Sequence, residues 1–203
     1  MLVCSINHDC FSARANMAEM ASSTGSKDYA VILNNFKNDR AGGENDDKHL
    51  VFVFVDKLGF HLLNGSGVSD DLKRNLTKAK WRCGGECNKE CIQCLIKQSD
   101  IQDCKSFLFA VCSHGQTDEN GLKIQFMDGV VYLHDIISFL QKCKSLAGKT
   151  VIVIIEACRS VPGTPGEFIL TYFWSNAKQV ILTLLVALDR SCHIESISFL
   201  NEV

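Results

Sequence analysis

Phe107-Leu-Phe-Ala-Val-Cys-Ser-His-Gly115 and, further on, Val151-Ile-Val-Ile-Ile-Glu-Ala-Cys-Arg-Ser160 are the two stretches on which the fold turns. Each opens with a continuous apolar run, Phe107 to Cys112 in the first and Val151 to Ile155 in the second. A strand with one wet face alternates apolar and polar side chains. Unbroken runs therefore fit strands covered on both faces, as in a parallel sheet flanked by helices. Between them, Ile136, Ile137, Phe139 and Leu140 recur at helical spacing, which predicts a helix from Leu133 to Cys143. Strand, helix, strand is the repeating unit of an α/β fold with an open, mostly parallel sheet.

Working outward, Tyr29 to Leu33 is a further short apolar run and reads as a buried strand. Asn34 to Glu44 is polar and carries Gly42-Gly43, so it reads as a loop. His49 to Val55 has the β-branched and aromatic content of a strand, yet Leu50, Phe54, Val55 and Leu58 fall on one helical face. Periodicity alone leaves both readings open. Phe60 to Leu63 is expected as a strand, and Ser69 to Lys80 as a helix with Ser69 capping and Asp70-Asp71 in its first turn. Downstream, Val161-Pro-Gly-Thr-Pro-Gly166 is a turn-rich loop. Glu167 to Phe173 reads as a strand, Gln179 to Leu188 as a helix, and Ile194 to Val203 as a second short helix. Residues 1–27 lack a sustained period and are expected to be a flexible leader, followed by a main region at 28–160 and a smaller one at 167–203.

The 203 residues, 46% hydrophobic and 22% charged, suit one soluble domain with a full core. A formal charge of −2 gives no bulk electrostatic reason to expect a nucleic-acid or membrane partner. No stretch approaches the roughly 18 apolar residues of a membrane span. The longest candidate, Val180 to Leu188, is closed off by Lys178 and by Asp189-Arg190. The N-terminus has no charged start, apolar centre and small-residue cleavage site, so a cytoplasmic location is expected. In that reducing compartment the 11 cysteines are expected as thiols, ligands or catalysts rather than disulfides. Four of them form the run Cys83, Cys87, Cys91, Cys94. Such spacing suits zinc, and its last three members also match the cysteine spacing of radical-SAM iron–sulfur enzymes. On a helix, however, all four share one face, which fits packing better than a tetrahedral site. No metal and no cofactor is therefore expected.

The chemistry gathers at two strand ends. In open α/β sheets, active sites collect at the carboxyl ends of the strands. If the two apolar runs are parallel neighbours, His114 and Cys158 reach the same edge. A thiol is a strong nucleophile only as thiolate, and a nearby imidazole can activate it and later protonate a leaving amine. Gly115, directly after the histidine, lets the backbone approach and donate its N–H to an oxyanion. Most cysteines are merely small buried hydrophobes. The strand-end position and the His-Gly partner set Cys158 apart from the others.

These residues resemble the caspase family. Ser113-His-Gly115 and Glu156-Ala-Cys-Arg-Ser160 are similar to that family's Ser-His-Gly and Gln-Ala-Cys-Arg-Gly motifs, with a similar separation. Asp128-Gly129, Ile136, Phe139, Cys143-Lys-Ser-Leu146 and Gly148-Lys149 resemble the pattern between them. Upstream, Asn34-Asn35, Arg40-Ala-Gly42 and Leu58-Gly-Phe60 do so as well. The resemblance implies a helix before Leu58-Gly-Phe60, hence a helix over 46–57. It also implies a cysteine endopeptidase that cuts proteins after aspartate, in apoptosis or a related cascade. Cys158 is then nucleophile and His114 general base and acid, with the N–H groups of Gly115 and Cys158 as oxyanion hole. Arg40 and the position of Glu156 would hold the substrate aspartate.

The sequence departs from the family at four places. Glu156 replaces a glutamine, and a carboxylate there either repels an incoming aspartate or takes up a proton to avoid doing so. Ser160 replaces a glycine, and residues 159–167 hold no Asp for an activating cut. No arginine occurs between 160 and 189 to supply the family's second carboxylate-binding group. The last family strand has no counterpart before Val203, which leaves a sheet edge open. A second reading therefore stands beside the enzyme: an impaired homologue that regulates a full-length caspase chain by binding it.

Overall fold

The computed structural model describes residues 27–36, 38, 43, 45–70, 72–84, 90–99, 101 and 103–157, and the backbone alone at 44, 71, 158, 167–174 and 186–187. Its centre is a six-stranded sheet of order β2-β1-β3-β7-β8-β9. These strands are β1 (Tyr29–Asn34), β2 (His61–Leu62), β3 (Ser106–Ser113), β7 (Thr150–Cys158), β8 (Glu167–Trp174) and β9 (Val186–Ala187). The first four in that order are mutually parallel, and β8 and β9 are added antiparallel. The expected α/β class with a mostly parallel sheet is what the chain forms. Main and smaller regions share this sheet, because β7 pairs directly with β8.

Both faces of the sheet are covered, which accounts for the unbroken apolar runs. Val31, Leu33, Phe107, Phe109, Val111, Val151, Val153 and Ile155 point into the larger core. Ala30, Ile32, Leu108, Ala110 and Ile152 point into a smaller one on the opposite face. The smaller core is closed by a helix that begins as α1 (Gly43–Leu50) and continues in π-helical form over Val51–Lys57. There the Leu58 N–H donates to the Val53 carbonyl five residues back, at 3.1 Å. The helix expected over 46–57 is thus present, wider in its second half, with Phe54 buried against Phe60 edge to face. The larger core is covered by α2 (Lys78–Trp81), α3 (Ile92–Gln98) and α4 (Leu133–Lys142). Among the described residues no helix is long and apolar enough to cross a membrane.

Two expected helices are corrected. Over 69–80 the chain forms a 3-10 turn (Asp70–Leu72) and then only α2, capped by the Thr77 side chain, which accepts from the Lys80 N–H. Asn75 between them has φ of 55°, which a right-handed helix cannot hold. The backbone of this segment bonds to other parts of the fold instead. The Lys73 carbonyl accepts from the Asn34 N–H, the Leu76 carbonyl from the Met127 N–H, and the Leu76 N–H donates to Asn35 Oδ1. Within the helix expected over 179–188, Val186–Ala187 is strand β9, paired with Phe168 and Ile169 of β8. A continuous apolar run looks alike as buried helix or strand, and the free edge of β8 decides in favour of pairing. The expected leader and the helix from Ile194 onward lie outside the described residues.

Asn64 is fully buried. Its Oδ1 accepts from the Ile32 N–H at 3.1 Å, and its Nδ2 donates to the carbonyls of Ile32 (2.7 Å) and Leu72 (2.9 Å). It thereby pins the loop after β2 to the edge of β1. Asn64→Ala strands these groups in a dry site. It is expected to lower unfolding free energy by about 2 kcal/mol or more in denaturant titration.

Candidate active site

The parallel ladder between β3 and β7 runs from Ser106↔Thr150 to Ser113↔Ala157. His114 and Cys158 are each the next residue along, so the two sit side by side at the carboxyl edge of adjacent strands. Position 158 has the parity of Ile152 and Ile154, on the sheet face that α1 covers. Cys158 ends β7 and is held from its other side by the antiparallel pairing Cys158↔Glu167.

His114 is fixed from several directions. Its carbonyl accepts from the Gln125 N–H at 2.8 Å, and the neighbouring Ser113 Oγ donates to the Gln125 carbonyl at 2.7 Å. Gln125 belongs to a second sheet, three antiparallel strands in order β4 (Gly115–Asp118), β5 (Gly121–Phe126), β6 (Gly129–Tyr132). Gly115 opens β4 opposite Ile124. His114, Gly115, Gln116, Lys123, Gln125 and Val130 surround a cavity of ≈170 Å³. At the far end of the same hairpin, Lys123 Nζ lies 2.6 Å from Asp118, and this hydrogen bond holds the Asp118 carboxyl below its ordinary pKa. A larger cavity of ≈790 Å³ opens between α2, α3 and α4, and none of the expected catalytic residues lines it.

Three neighbours of this edge carry no site role in the sequence reading. The Phe36 ring lies against the His114 imidazole, centroids 5.1 Å apart at 50°. Phe36 has φ of 54°, a conformation uncommon outside glycine and held here by the loop after β1. Asn35 begins that loop: its N–H donates to the Cys112 carbonyl and its Oδ1 accepts from Leu76. Asp46, on α1, brings its carboxylate to Glu156 and Cys112. The ligand atoms of these three all lie within 4.8 Å of one another, and Glu156 and Cys112 are themselves a register pair. The strand-end rule that located His114 and Cys158 applies equally to the residues after β1, and that signal was available. For β4 to β6 the signal was the alternation of Leu122, Ile124 and Phe126 with polar neighbours, a half-buried strand pattern.

The structure therefore brings His114, Gly115, Glu156 and the backbone of Cys158 to one edge. Arg40 lies outside the described residues, in the segment that leaves β1 from that same edge. Chemically, the edge joins an imidazole, the backbone of a cysteine and the glycine that opens β4. Two carboxylates, Asp46 and Glu156, stand two register positions inside it, at the Cys112↔Glu156 pair.

Comparison with known proteins bears on the same region. The sequence model of the caspase domain, Peptidase C14, matches residues 27–193. Among solved structures the chain is similar to caspase-1 from Spodoptera frugiperda, with 23% identity and a TM-score of 0.46. That similarity covers 66% of this chain and 48% of the insect protein, so the chain spans about half the length of that relative. No curated protein matches. Because the caspase-domain match extends over most of its length, the chain belongs to the caspase-domain family of cysteine peptidases.

Proposed function

We propose that the protein is a cysteine endopeptidase of caspase type, acting on protein substrates in a cytoplasmic proteolytic cascade such as apoptosis. The observation that carries this reading is the register that sets His114 beside Cys158 at the carboxyl edge of the parallel sheet. In this mechanism His114 takes the Cys158 proton, and the thiolate adds to the scissile carbonyl. The N–H groups of Gly115 and Cys158 receive the oxyanion. The tetrahedral adduct collapses to an acyl-enzyme as His114 protonates the leaving amine. Water, deprotonated by the same imidazole, then releases the acid and restores the thiol.

Arg40 is assigned to the aspartate carboxylate before the cut, since its planar fork binds a carboxylate through two parallel hydrogen bonds. Glu156 opposes it electrostatically, with Asp46 close by. Glu156→Gln is accordingly expected to raise kcat/KM on aspartate peptides by about tenfold, equivalent to about 1.4 kcal/mol of relieved repulsion. The same carboxylate pair favours the second reading, an impaired homologue that binds another caspase chain. Hydrolysis of fluorogenic peptides ending in aspartate, with Cys158→Ala as control, separates the two. Turnover that vanishes in the control supports the protease. Silence of both the parent and Glu156→Gln, under conditions where an established caspase works, sinks it in favour of the binding role.

A further inference from the structure

Among the described residues the cysteine run does not lie along one helix, as its spacing suggested. Cys83 follows α2 on non-helical backbone, Cys91 is the N-cap of α3, and Cys94 lies in the first turn of α3. The fold nonetheless brings their sulfurs together. All three Sγ atoms lie within 4.8 Å of one another, and Cys83 Sγ is 3.0 Å from Cys94 Sγ. Cys91 and Cys94 are each 1% exposed.

The backbone around them is arranged to serve a charged sulfur. Cys91 Sγ accepts two main-chain N–H groups, from Cys83 at 3.3 Å and from Cys94 at 3.4 Å. A neutral thiol is a weak acceptor, whereas a metal-bound thiolate takes such hydrogen bonds well, and they tune thiolate sites generally. Without a cation, burial raises the Cys91 thiol above its ordinary pKa. A tetrahedral zinc site with Zn–S near 2.3 Å sets its sulfurs about 3.8 Å apart, and these three sulfurs all lie within 4.8 Å of one another.

We propose that Cys83, Cys91 and Cys94 form a structural thiolate site for zinc in the reduced protein. Cys94 is disulfide-bonded in the structure, whereas Cys83 and Cys91 are not. The full site therefore requires a two-electron reduction. Two equivalents of a cellular thiol form their own disulfide and return both cysteines of the Cys94 bond as thiols. Zinc then binds with release of the thiol protons to solvent. The cation fastens the end of α2 to the start of α3 across a span that has no other covalent tie among the described residues. Trp81 on one side and Ile92 and Ile96 on the other carry that clamp into the larger core. The site is independent of the peptidase chemistry, being on the opposite side of the sheet from α1.

The test is metal analysis of the full chain purified with a phosphine reductant, paired with cobalt titration. Cys158→Ala serves as background, so that metal at the catalytic edge is not counted. About one zinc per chain is expected, with a thiolate-to-cobalt charge-transfer band on substitution. Cys91→Ser should weaken zinc binding more than about 100-fold, since even outer-shell changes cost roughly 10- to 100-fold. Cys143→Ser, a buried cysteine elsewhere in the core, should leave it unchanged. Should Cys91→Ser fail to fold, removal of zinc from the unaltered chain by a chelator must lower its Tm, and zinc must restore it. A fully reduced, folded chain that binds neither zinc nor cobalt overturns the proposal. So does a Tm that is indifferent to zinc and chelator alike.

Discussion

His114→Ala is expected to lower kcat/KM for aspartate-ending peptides by about 10³-fold, with the fold intact. The size follows from two losses in one residue. An unassisted cysteine is only a few per cent thiolate near neutral pH, so the attacking species is scarce. The amine, in turn, leaves without a proton donor. Structurally the substitution is mild. The His114 ring is half-buried and packs on Phe36, while the carbonyl that bonds to Gln125 belongs to the backbone and survives. A thermal melt close to that of the parent, together with the kinetic loss, assigns the effect to chemistry. Parent-like turnover in His114→Ala removes this residue from the acid–base role and leaves the proposed mechanism without its base.

The largest expected effect on stability is at Trp81. Its side chain is 4% exposed. Its indole meets Phe109, Phe126 and Phe139 edge on, with centroids 5.7, 6.3 and 5.6 Å away. Those partners come from β3, β5 and α4, so a single ring joins the main sheet, the small sheet and the covering helix. Trp81→Ala empties that junction and is expected to cost about 3–5 kcal/mol in denaturant unfolding. Against a typical total of about 5–15 kcal/mol, this is enough to leave the chain marginal. Trp81→Phe retains most of the contact and should cost much less. Equal losses in the two variants argue against the aromatic junction as the cause.

What could be read from the sequence follows physical lines. Phe107 to Cys112 and Val151 to Ile155 announced themselves because burial on both faces leaves no polar position, and that signal survives without knowledge of partners. His114, Gly115 and Cys158 followed from them, being the residues that leave those strands. The segment 69–80 misled because Ser69 and Asp70-Asp71 are real helix-start signals. Nothing local reveals that Asn35 and Asn34 capture the backbone at Leu76 and Lys73. Asp46 beside Glu156 was equally hidden, for it depends on how α1 lies across the sheet. The one-helix reading of the cysteine run misled for a related reason: its intervals match one helix face, but Cys83 follows α2 on non-helical backbone and Cys91 caps α3.

The double pairing of β7 has a mechanical consequence. Hydrogen-bonded ladders grip this strand from β3 on one side and from β8 on the other, and the second runs unbroken from Val151↔Trp174 to Cys158↔Glu167. A cut between β7 and β8 would leave both ladders closed, so the two fragments would stay joined. Position 158 cannot slide along its axis without breaking register on both flanks at once. The register of this edge is therefore set by the two ladders together, and a cut between β7 and β8 has little left to rearrange within the sheet.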